Sequence, residues 1–277
     1  MFRTRVVWLL MRLVSYERLF AWHRRGLLRP LEAVLLRGEL AVLGGMGART
    51  RLSAASFAPW GAQAYAVLTG THEIQVQEAL RRSAGRGDVV WDVGANIGAF
   101  SLLAARVVGP AGRVVAIEPE PGCAAAIRAS AARNGMDWLE VREVAATDRT
   151  RDVELIVVED SLWTRLGSIG GHHLATGRRV VRGCALDDLD VPPPSFVKID
   201  VEGAELDVVA GMRRLLAEVR PVVVCEMHGR NRDFCAAMDA AGYDAVNLDG
   251  PERVEDAGVN VHALCVPRGR VSAVGRR

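Results

Sequence analysis

GDVVWDVGANIGAFSLLAA, residues 87–105, reads as a buried strand, a glycine-bearing turn and the opening turns of a helix. Val89–Val93 is a short, β-branched apolar run, and SLLAARVV continues as a helix to a stop at Gly109-Pro110. Gly94 and Gly98 shape the turn, where glycine takes backbone angles that other residues avoid and lets the chain approach a ligand closely. A nucleoside site on such a turn needs an acidic residue at the end of the next strand, about 20 residues on, to hold ribose hydroxyls. Glu118 stands there, after the strand Arg113–Ile117 and directly before Pro119.

Two cofactor classes share that plan, and charge separates them. A dinucleotide site wants GxGxxG so that a pyrophosphate can reach the helix N-terminus. Here Asn96 occupies the second glycine position, and the Asp92 carboxylate would repel a pyrophosphate. The same carboxylate suits the ammonium of a methionine moiety, so the expected cofactor is S-adenosyl-L-methionine. The alternative is a structural strand–turn–helix with no ligand.

Working outward, apolar runs of four to six residues alternate with amphipathic segments from about residue 72 onward. That pattern belongs to a mostly parallel sheet with helical crossovers. Beyond the first two strands it predicts strands at Leu139–Val144, Phe196–Asp200 and Pro221–Met227, with Asp244–Leu248 and His262–Val266 closing the sheet. Helices are expected across CAAAIRASAARN, from about Ala204 to Glu218, and at Phe234–Ala241. DVELIVV (152–158) reads as an extra strand or hairpin arm, 159–178 as a long loop, and VPPP (191–194) as a rigid connector. Residues 1–68 read as a mainly helical extension, with a loop around Gly44, Gly45 and Gly47 and a break at Pro59-Trp60-Gly61; residues 69–277 read as the catalytic domain.

The chain of 277 residues is half hydrophobic and carries a net charge of +2, enough for a sizeable core and without the basic excess of a nucleic-acid binder. Its five cysteines form no CxxC pair, so neither a zinc site nor a disulfide frame is expected. Near the N-terminus, VVWLLMRLV is interrupted by Arg12 and falls short of the roughly 20 apolar residues of a membrane span. Trp8, Phe20 and Trp22 interleaved with arginines fit either a helix lying on a membrane surface or one packed on the catalytic domain with its arginines solvated. A cytoplasmic protein is expected, with peripheral membrane contact as the open alternative.

The chain resembles the FkbM family of methyltransferases from about Glu73 to Val266. The motifs, in order, are GDVVWDVGANIGAFSLLAA (87–105), RVVAIEPEP (113–121), REVAATDR (142–149), FVKIDVEGAELDVVAGM (196–212) and PVVVCEMH (221–228), of which KIDVEGAE is the most discriminating. The resemblance implies a Rossmann-like class I fold, a seven-stranded sheet with a last antiparallel strand. It also implies that Asp92, Gly94, Asn96 and Gly98 surround the methionine part of the cofactor, that Glu118 takes the ribose, and that Ala145 flanks adenine. The implied acceptor is a hydroxyl of a sugar, glycolipid or secondary metabolite.

Methyl transfer from a sulfonium is an in-line displacement, and a neutral alcohol is a poor nucleophile, so a proton acceptor belongs at the site. Asp200 ends the fourth strand, and Lys198, the chain's only lysine, shares its side of the strand and is expected to pair with it. Glu226 and His228 end the fifth strand on one side, and His228, with a near-neutral pKa, is a candidate base. Glu202, Glu226 and His172 are assigned to substrate. Glu202 and Glu205 also suit the acidic first turn of a helix. Asp200, Glu226 and His228 have the donor chemistry of a Mg2+ site, but residue types without a geometry do not make one, and no metal is assigned. The competing readings are a cofactor-binding module without catalysis and a membrane-surface scaffold.

Overall fold

The computed structural model describes residues 2–14, 39–53, 62–157, 164–166 and 177–269, together with positions 18, 22, 25, 27, 28 and 30. In chain order, helix α1 (Phe2–Leu13) precedes a hairpin of β1 (Glu39–Ala41) and β2 (Arg51–Ser53), then α2 (Ala62–Thr69) and α3 (Ile74–Ser83). The alternating region follows: β3 (Val89–Val93), α4 (Ala99–Val108), β4 (Arg113–Ile117), α5 (Pro121–Asn134), β5 (Leu139–Arg142) and β6 (Ala145–Ala146). Next come β7 (Arg151–Val157), β8 (Thr164–Leu166), β9 (Gly177–Cys184), β10 (Phe196–Ile199), α6 (Glu205–Ala210), β11 (Val222–Met227), α7 (Asn231–Ala240), β12 (Tyr243–Asn247) and β13 (Val261–Pro267).

The main sheet has seven strands in the order β12-β13-β11-β10-β3-β4-β5. Pairing is parallel from β11 to β5, and β13 runs antiparallel to both its neighbours, as the sequence reading expects of a class I methyltransferase sheet. Because strand side chains alternate, each central strand feeds two cores. Val90, Val114, Phe196 and Val224 join one; Trp91, Val115, Val197 and Cys225 join the other. Both faces are covered, so all parallel strand ends rise to one edge, where the loops carry the polar residues.

Among the described residues, the N-terminal segment holds a hairpin beside its helices. Its glycine loop is the tip of the β1–β2 hairpin, whose Leu40 and Leu52 are buried with Leu68, Leu80 and Leu102 in one core. Asn134 closes α5 onto β2, accepting from Arg51 N at 2.9 Å and donating to its carbonyl at 2.7 Å. Helix α1 packs inward through Thr4 and Val7, while Leu9, Leu13 and Arg12 are exposed. Among the described residues no helix is long and apolar enough to cross a membrane. The expected break at residues 59–61 lies outside the described residues.

Three other expectations are corrected. The third strand stops at Arg142 rather than 144. The stretch 159–178 is not wholly loop, because β8 and the start of β9 fall within it and join a second sheet of order β6-β9-β7-β8. Strand β9 (GRRVVRGC) is exposed over most of its length and lacks an apolar alternation; its arginines instead pair across to β7, as Arg178 does with Glu154 at 2.9 Å. The helix expected over 204–218 is broken after α6. Gly211 presses against the Thr147 carbonyl, and Asp187 then caps a short π-helical turn (Leu215–Val219) by accepting from Arg214 N and Leu215 N at 2.8 and 2.9 Å.

Gly211 has φ −87° and ψ −1°, angles that other residues also adopt, so any penalty for a side chain there is mainly steric. A Cβ would drive into the Thr147 carbonyl oxygen. Gly211→Ala is expected to lose about 1–3 kcal/mol in urea unfolding, whereas Gly250→Ala, whose Cβ meets nothing within 4 Å, should stay within about 0.5 kcal/mol of wild type.

Candidate active site

Three strand ends and two loops surround a cavity. One side is polar, with Asn96, Glu118, Asp200 and Glu202; the other is apolar, with Ile117, Ala145, Ala146 and Leu155. The turn after β3 is built from left-handed residues, Gly94, Asn96 and Gly98. A Cβ on Gly94 would strike the Asp200 carbonyl oxygen, and one on Gly98 would lie 2.8 Å from Ile127. These glycines therefore let the loop press against the end of β10 and let α4 pack on α5. The resulting shape, apolar at one end and hydrogen-bonding at the other, fits a nucleoside bearing an amino-acid tail.

Glu118 closes the second strand as expected. It accepts from Asn96 N at 2.7 Å and Glu120 N at 2.9 Å, so one oxygen of the carboxylate anchors each side of the cavity mouth. Burial pushes its pKa up to about 8, against the pull of those two amides. Asp92, expected beside the methionine, lies within β3 behind the glycine turn. It is fully buried and is absent from the cavity lining. Ser101 donates to its Oδ2 at 2.5 Å, and burial raises its pKa to about 6 with Lys198 opposing. It supports the loop from below.

Lys198 is buried in the middle of this arrangement. Its ammonium lies 3.0 Å from Asp200 Oδ2 and 3.8 Å from Glu73 Oε2, and 5.7 Å from the centre of the Phe100 ring. Burial works against its charge, but Asp200, Glu73 and Asp92 outweigh burial and hold its pKa above the ordinary value. The expected pairing of Lys198 with Asp200 is present. Glu73 was not anticipated as a partner. It precedes α3 in a left-handed conformation, and Lys198 and His72 hold its carboxyl well below the usual range despite burial.

Glu226 and His228 share one side, as their spacing predicts, and both face Asp200. His228 Nδ1 lies 2.9 Å from Glu205 Oε1, which also accepts from Gly203 N at 2.8 Å. Its Nε2 faces Glu202 at 3.7 Å, Glu226 at 3.7 Å and Asp200 at 4.0 Å. The near-neutral pKa expected for His228 is not met. Burial lowers it, but the Glu205 hydrogen bond and the Glu202 and Asp200 charges raise it to about 9. Glu205 thus does more than cap a helix: it is 3% exposed and fixes the imidazole. On the far side of Glu226, His262 Nε2 is 3.9 Å away and its Nδ1 is 2.9 Å from Asp249. Burial, Asp200 and Glu73 raise the Glu226 pKa. His172 lies outside the described residues.

Several known proteins are similar to this chain. The model of the Methyltransferase FkbM domain matches residues 92–246, more than half of the chain. A hexuronic acid methyltransferase, AglP, from Haloferax volcanii is 30% identical over 161 residues, covering 56% of this chain and 62% of that one. Among solved structures, a methyltransferase FkbM from Methylobacillus flagellatus matches at 19% identity and a TM-score of 0.45, over 72% of this chain and 53% of that one. An S-adenosylmethionine-dependent O-methyltransferase from Thermotoga maritima matches at 11% identity and a TM-score of 0.46, over 76% and 72%. The chain spans less than two thirds of the length of the Haloferax and Methylobacillus proteins.

Removing the buried ammonium would leave carboxylates facing one another. Lys198→Met is expected to lose about 3–5 kcal/mol of unfolding free energy at neutral pH. Glu73 has its pKa lowered, so its contribution is present above its unfolded pKa and fades on acidification. The gap between variant and wild type should therefore narrow toward about pH 4, and a gap independent of pH would contradict the charge-pairing role.

Proposed function

Because this chain belongs to the FkbM family of S-adenosylmethionine-dependent methyltransferases, we propose that it transfers a methyl group to a hydroxyl oxygen of a sugar. The observation carrying this reading is that Asp200 lines the same cavity as Gly94, Asn96 and Glu118. A proton acceptor and a nucleoside cradle thus share one wall. The sugar acceptor is supported by the Haloferax relative, whose name records a hexuronic acid. When bound, S-adenosylmethionine supplies an electrophilic methyl group on a sulfonium.

The chain's own residues then have separate tasks. Glu118 accepts from the ribose hydroxyls with the lone pairs that Asn96 N and Glu120 N leave open. Ala145, Ala146 and Leu155 give the adenine an apolar wall. Lys198 holds Asp200 Oδ2, which leaves Oδ1 to orient the acceptor hydroxyl and take its proton. Glu202 and Glu226 flank that point and suit the neighbouring hydroxyls of a sugar. His228, cationic at neutral pH and pinned by Glu205, is a positioning group for Asp200 rather than a ready base. Alignment supplies more than the base: roughly 7–11 kcal/mol against a factor of about 10²–10⁴.

A tritiated-methyl assay against hexuronic acids, neutral hexoses and non-sugar alcohols tests this. Label should enter the sugars, and Asp200→Asn should cut kcat by about 10²–10⁴ while cofactor affinity changes little. Label confined to non-sugar alcohols would overturn the acceptor class.

Glu118 adds a pH test. Its folded pKa is raised to about 8, and ribose hydroxyls favour the ionised form, so binding draws the proton off. Calorimetric affinity for S-adenosylhomocysteine is expected to strengthen as pH rises from about 6.5 to about 8 and then level off. Glu118→Gln should bind more weakly and without that slope.

A further inference from the structure

We propose that Asp200, Glu226 and His228 form a binding site for one divalent cation of the Mg2+ and Mn2+ class. Their donor atoms lie within 4.8 Å of one another. The inference goes beyond methyl transfer and does not depend on it.

The decisive atom is His228 Nε2. The side chain is 9% exposed, and Nε2 has no hydrogen-bond partner. Nδ1 sits 2.9 Å from Glu205, so the Nδ1 proton is directed at that carboxylate and Nε2 is turned to the cluster, its lone pair available once a cation takes the place of its proton. The nearest oxygens to Nε2 stand 3.7 Å away at Glu202 Oε2 and Glu226 Oε1 and 4.0 Å away at Asp200 Oδ1, too far for a hydrogen bond. A cation with bonds of about 2.0–2.4 Å fits between donors at that spacing with small adjustments.

The surroundings hold the donors in place. Glu226 and His228 are two apart at the end of β11, and Asp200 follows β10, the strand paired with it. Lys198 occupies only Oδ2 of Asp200, leaving Oδ1 for the cluster. A histidine whose second nitrogen is fixed by a carboxylate has the orientation found at metal centres, and the Glu205–His228 pair has that form. Two carboxylates and one imidazole suit Mg2+ or Mn2+ better than a thiolate-seeking metal.

The test uses Mn2+ and the full chain, with no cofactor or acceptor present. Titration followed by electron paramagnetic resonance should show one saturable site, and pulsed measurement on the wild type should show coupling to an imidazole nitrogen. His228→Ala should abolish that coupling. Glu226→Gln should weaken binding at least tenfold, and Glu205→Gln, which alters only the orienting residue, by about 10–100-fold. Calorimetry with S-adenosylhomocysteine checks that each variant is folded and reports separately on the methyltransferase reading. The proposal is overturned if the wild type shows no saturable Mn2+ binding, no imidazole coupling, or a coupling that survives in His228→Ala.

Discussion

One buried ammonium holds the site together. Lys198 stands on the central strand β10 with Asp200 at 3.0 Å and Glu73 at 3.8 Å, and it offsets the charge of fully buried Asp92. These carboxylates come from the turn before α3, the strand before the glycine loop and the end of β10; a single cation therefore ties three separate stretches of chain to one place. An isolated charge in such surroundings would cost many kcal/mol. The residue type matters too. Every other basic residue among the 35 is arginine. A guanidinium is a broad planar fork suited to one carboxylate at a time, whereas an ammonium is a compact point charge with three donors that can be shared around a centre.

The sheet explains why those groups meet. Alternation sends successive side chains of β3, β4, β10 and β11 into two separate cores, so both faces are mostly apolar and Asp92 and Lys198 are the buried exceptions. Most other polar residues of the site stand near the carboxyl ends, and some of the backbone strain lies beside them. Asn96, Glu202 and Glu73 all have positive φ. Non-glycine residues in that region cost free energy and persist only where surrounding contacts hold them. Asn96 is held by its amide bond to Glu118, and the turn at Glu202 and Gly203 by Glu205. The strain and the functional groups thus occupy the same loops.

Local pattern made much of this readable from the chain. The spacing from Gly94 to Glu118, the pairing of Lys198 with Asp200, and the common side of Glu226 and His228 all follow from strand periodicity and short-range order. Glu73, His262 and Asp249 did not show themselves, because no motif marks them and only tertiary folding brings α3 and β13 beside β10 and β11. Strand β9 escaped for a different reason: it is held by backbone pairing to β6 and β7 and carries exposed arginines in place of an apolar face. The break at Gly211 depends on a carbonyl more than sixty positions away in the chain, Thr147, which no window of local sequence contains.

The sign of the charge around the cavity is the point at which sequence, structure and chemistry meet. Glu118, Asp200 and Glu202 line it, and Glu226 and Glu205 stand behind, against Lys198 and His228. The chain as a whole carries +2, so this acidic region is a local arrangement and not a reflection of bulk composition. A pyrophosphate entering it would be repelled, in agreement with the loss of the second glycine at Asn96. A sulfonium donor enters positive and leaves as a neutral thioether. An acid-lined cavity attracts the first more than the second, so under the proposed methyl transfer the same field would draw in the donor and relax its hold once the methyl group has moved.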